Sequence, residues 1–417
     1  MSHTAELIAV GTEILLGNIA NTDAQMISEG LSALGINVFY HTVVGDNPGR
    51  LKEALEIARR RADIIITTGG LGPTYDDLTK QTICEAFGLE LVLHEDILEG
   101  IRVFFEEKLK RKMPPQNKQQ AMLPVGCTIF DNPVGTAPGC GFEQDGVHVL
   151  MLPGPPHECE YMFKNRAVPY LQKLSEGVIV SHELKIFGMG ESHVESLLRE
   201  KMMIMDNPSL APYAKVCECM LRATAKADTE EEAEALLKPV MEQVRDVLGD
   251  VIYGVDVPNL ESVVLRDLKA RGLTLSAAES CTGGLVAKRM TDLPGASQVF
   301  VGGVVSYTNE VKHHVLGVPQ QLLEEYGAVS EPVAIAMAEG CRRLTGSDFA
   351  VSLTGVAGPD PDDRGHEVGT VYLALASAEG TVCRLLNCGG RRERARVRNY
   401  AANYALDMVR RKLEGLL

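Results

Sequence analysis

Two sets of residues in this chain have the types and spacing needed for chemistry. The first is spread over three short segments near its start: Gly11-Thr12-Glu13, Val43–Asp46, and the run from Gly69 to Thr79, which holds Gly69, Gly70, Gly72, Asp76 and Asp77. Glycines after a strand let the backbone approach a phosphate, and a following helix N-terminus aims N–H donors at it. Glu13, Asp46, Asp76 and Asp77 are hard oxygen ligands. With a bound diphosphate they would hold Mg²⁺, Co²⁺ or a similar divalent metal ion, which polarises phosphorus and activates water. Taken singly, each glycine is a turn former and each aspartate a helix N-cap. Three such segments on one edge of one sheet argue for a site.

The second set lies toward the other end. The stretch Ala277–Gly284 places Ser280 at or just before a helix N-terminus, followed by Thr282, Gly283 and Gly284. Unpaired N–H groups there favour a developing oxyanion, though a lone serine is more often only a cap. Cys281 is the rival nucleophile, because a helix N-terminus acidifies a thiol. Tyr307 falls at a strand end and Lys312 in the first turn of the next helix, where the dipole lowers a lysine pKa toward a general base and Glu310 partly opposes it. The plain alternative for Lys312 is a surface charge. Thr354, Gly355 and Gly358 form another glycine-rich turn, TGVAGP. Five arginines crowd residues 391–398. On a helix Arg392 and Arg396 share a face and would clamp a phosphate, leaving Arg391, Arg394 and Arg398 as a solvated face. A nucleophile, a base and a phosphate anchor suit hydrolysis of an amide or ester on a nucleotide.

The elements that must position these residues follow from the pattern. The chain of 417 residues is 45% apolar and 23% charged, a globular composition sized for two or three domains. AELIAVG (5–11), INVFYHTVVGD (36–46) and DIIITTGG (63–70) read as strands and 21–35 and 48–62 as helices, predicting a doubly wound α/β domain over 1–169. Residues 170–255 hold strand-like SHELKIFG and KVCECMLRATAKA with two helical stretches, a small α+β module. Gly188-Met-Gly190 is half a dinucleotide fingerprint and reads as a turn opening a helix over 191–203. After the linker-like DVPNL a second α/β alternation occupies 256–417. The net charge of −15 makes a general partner for duplex DNA unfavourable. The chain has neither a signal-peptide pattern nor an apolar run near the ~18 residues that span a bilayer. Its ten cysteines include no Cys-x-x-Cys pair and read as reduced thiols, so a cytoplasmic protein without membrane partners is expected.

Several of these stretches together are recognisable. GTEILLGNIANTDA, GGLGPTYDDLTK, NPVGTAPG and LPGPPHE, then ESCTGG, GGVVSYTNEVK, GAVSEPVA, SLTGVAGP and VGTVYLALA, occur in an order that resembles the CinA family of competence/damage-inducible proteins. The resemblance implies a first domain with the molybdopterin-binding fold and metal-dependent cleavage of ADP-ribose to AMP and ribose 5-phosphate. Asp46 and Asp77 fall on its acidic positions, and nothing resembles a Nudix box. For the last domain it implies a three-layer α/β/α fold and metal-free deamidation of nicotinamide mononucleotide (NMN) to nicotinate mononucleotide. Ser280 is then the nucleophile, Lys312 the base and Tyr307 an assistant, with Arg392 and Arg396 on the family's arginine pair. It also implies a homodimer. Two departures stand out: the acidic DPDDRGHE (360–367) replaces a glycine run, and Cys388 replaces a phenylalanine. A molybdopterin-binding or transfer protein and a regulator of DNA uptake or repair are the alternatives.

Overall fold

The computed structural model describes residues 3–174, 177–215, 217–389 and 393–417. Arg391 and Arg392 lie outside the described residues. The chain divides into two compact units, Met1–Val180 with Ala225–Ala235, and Ser181–Thr224 with Leu236–Leu417.

The strands of the first unit are β1 (Thr4–Val10), β2 (Asn37–Val44), β3 (Ile64–Thr68), β4 (Leu91–Leu93), β5 (Met122–Pro124), β6 (Thr128–Phe130), β7 (Gly139–Gln144) and β8 (Val147–Leu152). Six form one sheet in the order β2-β1-β3-β8-β7-β6, and β4 pairs with β5. β2, β1, β3 and β8 run parallel, while β7 and β6 are antiparallel. Ile64, Ile65 and Ile66 are all fully buried, as a strand covered on both faces requires. Alternate residues serve opposite cores. Leu7, Ile64 and Ile66 pack with Ile27, Leu31 and Phe163, whereas Ile8, Val10 and Ile65 pack with Leu51, Leu55 and Phe87. Asn21 and Asn47 cap the helices Thr22–Ala33 and Pro48–Ala58 by accepting from Ala24 N and Arg50 N, both at 3.0 Å. This is the doubly wound domain expected.

A second sheet holds β9 (Val178–Ile186), β10 (Ser209–Lys215), β11 (Glu218–Ala227) and β12 (Ile252–Val255), ordered β10-β11-β9-β12. The sequence reading missed β10 and β12. The helix Glu191–Ile204 follows Gly190 directly, so Gly188 and Gly190 form the turn expected. The third sheet, ordered β14-β13-β15-β16-β17, comprises β13 (Leu275–Glu279), β14 (Phe300–Val305), β15 (Phe349–Gly355), β16 (Thr370–Ser377) and β17 (Gly380–Asn387). Its first three strands are parallel and its last two antiparallel. Val264, Leu268, Ala401 and Leu406 cover Leu275, Ala277 and Leu353 on one face, and Val333, Met337 and Cys341 cover Ala278 and Ala350 on the other. Helices therefore sandwich the sheet in three layers. No helix among the described residues is long and apolar enough to cross a membrane.

Candidate functional sites

In the first unit, Ala9 lies level with Val43 and Thr68, so β1, β2 and β3 end together and their loops meet. The result is a cavity of about 550 Å³ lined by Glu13, Asp46, Gly69, Gly70, Gly72, Asp76 and Asp77, among others. Gly11 closes β1 behind it, donating its N–H to Val44 O at 2.9 Å. Gly69 sits at φ +90° and a Cβ there would lie 2.2 Å from Val10 O; at Gly70, φ +68°, a Cβ would lie 2.0 Å from Thr79 Oγ1. Only glycine fits either position.

Two threonines orient the carboxylates. Asp46 accepts from the N–H and hydroxyl of Thr12 at 3.0 and 2.8 Å. Asp77 accepts from Thr74 N at 2.8 Å, and the Thr74 hydroxyl also bonds Asp76. Gln119 Nε2 holds the same loop through Gly72 O and Thr74 O at 2.9 and 3.0 Å. Behind it Lys80 Nζ donates to the Gln119 and Gln120 carbonyls, both at 2.9 Å, and burial lowers its pKa to about 8. Among the described residues no group of three or more His, Cys, Asp or Glu converges on a metal position. The donor set does suit a hydrated Mg²⁺-like ion, which takes one or two carboxylates and completes its shell with water and phosphate oxygens. Two further acids in the lining, Asp23 and Glu158, escaped the sequence reading although they lie in the recognisable stretches NTDA and LPGPPHE. Burial raises Asp23 to about 6.

In the second unit, Ser280 follows β13 directly and is held by its N–H to Leu353 O at 2.9 Å. Lys312 Nζ donates to Ser280 Oγ at 3.1 Å and to Ser306 O at 2.8 Å. The lysine is only 1% exposed, and burial lowers its pKa to about 8. The expected direction holds, but the cause is desolvation: Lys312 is fourth in the helix Asn309–His314, and Glu310 is exposed. The helix-terminus argument for Ser280 also needs correcting. The next helix starts only at Leu285, and the Glu279 carboxylate takes its Val286 and Ala287 N–H groups at 3.1 and 2.8 Å. Cys281 is buried, and burial pushes its thiol up to about 12, opposite to the acidification considered for it. Thr282 Oγ1, Ser306 Oγ and Arg398 Nε are buried without a hydrogen-bond partner among the described residues, open polar valences of the kind that a ligand or water satisfies.

The described arginines at the start of the final helix make contacts that the sequence reading did not expect. The final helix runs Arg394–Leu413. Arg394 donates to Tyr307 Oη at 2.8 Å and to Gly358 O at 2.6 Å. Arg398 reaches Thr282 O at 2.7 Å and lies beside Gly283, whose neighbour Gly284 is also at positive φ. Arg396 is exposed. Arg394 and Arg398, taken for a solvated face, thus both contact the loops around Ser280, while Arg392, expected to pair with Arg396, lies outside the described residues. The Thr354 hydroxyl is engaged by Ala328 O at 2.6 Å, and a Cβ on Gly355 would lie 2.5 Å from Thr370 O, so both have packing roles. In the 360–367 loop Asp362 accepts from His366 N and Nδ1 at 2.8 and 2.7 Å, and Arg364 pins the loop to the Glu324 and Glu325 carbonyls. Asp360 and Asp363 stay exposed, and Cys388 is buried.

Comparison with known proteins accounts for all three segments. Residues 6–173 match the probable molybdopterin binding domain, 181–254 the damage-inducible protein CinA KH domain, and 258–413 the CinA C-terminal domain. A CinA-like protein of Kosmotoga olearia is 46% identical over 98% of this chain and 98% of its own. One from Dictyoglomus thermophilum is 46% identical over 99% of each. A crystal structure of a competence/damage inducible protein from Agrobacterium tumefaciens is 36% identical, covering 37% of this chain and 93% of that one, with a TM-score of 0.36. With identity of this level sustained along the chain, and family motifs falling on both sites, the chain belongs to the CinA family.

Proposed function

We propose that the second unit hydrolyses the carboxamide of NMN, giving nicotinate mononucleotide and ammonia, and that the first cleaves the diphosphate of ADP-ribose to AMP and ribose 5-phosphate. The observation that carries the amidase reading is the buried Lys312 amine 3.1 Å from Ser280 Oγ. A neutral amine at that distance takes the serine proton while Oγ attacks the carboxamide carbon. The resulting oxyanion needs donors. Thr282 offers a hydroxyl with no partner and an N–H bonded to no other backbone carbonyl among the described residues. Collapse expels ammonia with the proton held on Lys312. Water, deprotonated by the same amine, then cleaves the acyl-serine ester. Arg394 and Arg398, four apart on one helix, anchor the substrate phosphate, and the Tyr307 hydroxyl is held by Arg394 at the edge of that anchor.

In the first unit the backbone at Gly69 and Gly70 receives the diphosphate, and Asp46, Asp76 and Asp77 would hold a divalent cation against it. When bound, that cation supplies charge neutralisation and an acidified water. Thr12 bonds Asp46, and Thr74 bonds Asp76 and Asp77, which fixes these carboxylates in the cavity lining.

The test is ammonia release from NMN by the full-length protein. Turnover lost in both Ser280→Ala and Lys312→Met, with ADP-ribose cleavage retained by both, supports the reading. Full activity in Ser280→Ala would sink it.

A further inference from the structure

A turn over residues 124–127 delivers the chain to β6 at the edge of the first sheet, with Gly126 at φ +76° and the Cys127 N–H donating to Pro124 O at 3.3 Å. β6 then pairs antiparallel with β7, Thr128 opposite Gly141 and Ile129 opposite Cys140. Side chains alternate along a strand, so Cys127, two residues before Ile129, falls on the same face as Cys140 and diagonal to it. The two meet there. Cys127 packs against the core cluster that contains Cys140, and the Cys140 thiol donates a hydrogen bond to the Cys127 sulfur. Their access to solvent differs: Cys140 is fully buried, whereas Cys127 is half-buried beside the exposed Val125 and Gly126.

We propose that Cys127 and Cys140 form a peroxide-sensitive site, in which Cys127 reacts first and Cys140 closes a reversible disulfide. Three observations carry it. The first is the arrangement, since a partly exposed sulfur in contact with a second thiol is the geometry in which oxidation of one is resolved by the other. The second is charge. Lys80, buried and holding the Gln119 and Gln120 carbonyls behind the glycine-lined cavity, lies near enough to favour a thiolate at either cysteine. The hydrogen bond from Cys140, with Lys80 adding to it, holds the Cys127 thiol below its ordinary value. The third is contrast. Burial pushes the thiols of Cys84, Cys159, Cys219, Cys281, Cys341 and Cys383 up, which leaves them inert near neutral pH.

The Cys127 thiolate attacks one oxygen of a hydroperoxide. The O–O bond breaks, the released hydroxide takes up a proton to become water, and Cys127 is left as a sulfenic acid. The Cys140 sulfur then attacks the Cys127 sulfur, and its proton leaves with the departing hydroxide as a second water. Two thiols are oxidised by two electrons and one peroxide is reduced. A small dithiol reverses the bridge by exchange.

The full-length protein, treated with hydrogen peroxide and then alkylated under denaturing conditions, should lose two of its ten free thiols, with Cys127 and Cys140 joined in the peptide map. Dithiol should restore both. Oxidation of this pair should outrun that of any other cysteine about tenfold or more. In Cys140→Ala a sulfenic acid should persist at Cys127 and be captured by a cyclic dicarbonyl probe, whereas Cys127→Ser should lose no thiol in the same time. Denaturant unfolding checks that both variants fold, and the wild-type map stands without them. Survival of all ten thiols, equal oxidation of the other cysteines, a bridge between Cys84 and Cys127, or a bridge between two chains on a non-reducing gel overturns the proposal.

Discussion

Lys312 makes a prediction whose size follows from its burial. With a pKa of about 8, about a tenth of the lysine is neutral at pH 7 and about nine tenths at pH 9. At its ordinary value of 10.5 the neutral fraction at pH 7 would be about three in ten thousand, so burial multiplies the available base roughly 300-fold. NMN hydrolysis should therefore rise about tenfold in kcat/KM for each pH unit up to about 8 and then level off. Lys312→Met should lose about 10²- to 10⁴-fold and with it the limb near pH 8. The same substitution should stabilise the fold. A lysine whose folded pKa lies below its unfolded value costs stability: the unfolded chain binds more protons between about 8 and 10.5, so stability rises with pH across that window and the whole cost, about 3 kcal/mol, remains below it. Methionine removes that cost and gives up the bond to Ser306 O, worth about 1 kcal/mol. A net gain of about 1–2 kcal/mol at pH 7, fading toward pH 10.5, is expected in denaturant unfolding. A wild-type profile flat from pH 6.5 to 9.5, or a limb that persists in Lys312→Met, would refute the reasoning.

Arg394→Ala should raise KM for NMN about tenfold or more, and Arg396→Ala should leave it within about twofold; steady-state kinetics on both variants compares the two helix faces directly. Gly69→Ala, which drives a Cβ to 2.2 Å from Val10 O, should abolish ADP-ribose cleavage and leave ammonia release from NMN intact. Removing divalent cations with a chelator should stop ADP-ribose cleavage only, with Mg²⁺ or Co²⁺ restoring it. Asp23, raised to about 6 from 3.8, binds a proton more tightly folded than unfolded, so its cost grows as pH climbs from about 4 to 6 and is complete above that. Asp23→Asn should therefore raise stability at pH 7 by about 1–3 kcal/mol and leave it unchanged at pH 4, as read by denaturant melts at the two values.

In the first unit β1, β2 and β3 were legible because their signals are local, whereas β4 to β8 were not read from the sequence. The run Ile64–Ile66 marks a strand covered on both faces, and glycines in a βα turn mark the strand's carboxyl edge wherever they fall. Asp23 and Glu158 were not legible as lining residues. One opens the helix Thr22–Ala33 and the other lies in the helix Pro156–Met162, and only the closing of the sheet brings those helix starts to one cavity. The strands β10, β12 and β17 were missed for a related reason: exposed edge strands carry mixed polar patterns, and β17 reads as exposed or half-buried at seven of its eight positions.

The second site shows what a motif leaves undetermined. Its residues were identified by type, but the forces acting on them were assigned to helix ends, and the structure assigns them to burial. Glu279, passed over in the sequence because it stands inside a strand, supplies the cap that the helix at Leu285 needs. Ser280 is thereby freed from capping and left to Lys312. The arginines depend on phase in the same way. At about 100° per residue, Arg396 projects roughly opposite to both Arg394 and Arg398, so naming one member of the inward pair names the other. Spacing alone permits 392/396 and 394/398 equally. Arg392 lies outside the described residues; for the other pair, the bond from Arg394 to Gly358 O ties the first turn of the final helix to the glycine turn after β15. Arg398, one turn on, is then carried to Thr282 beside the nucleophile. Substrate phosphate would be read by the helix face that also braces the catalytic loop, which predicts that Arg398→Ala lowers kcat as well as raising KM, whereas Arg394→Ala acts mainly on KM. Equal effects on kcat from the two variants would count against that division.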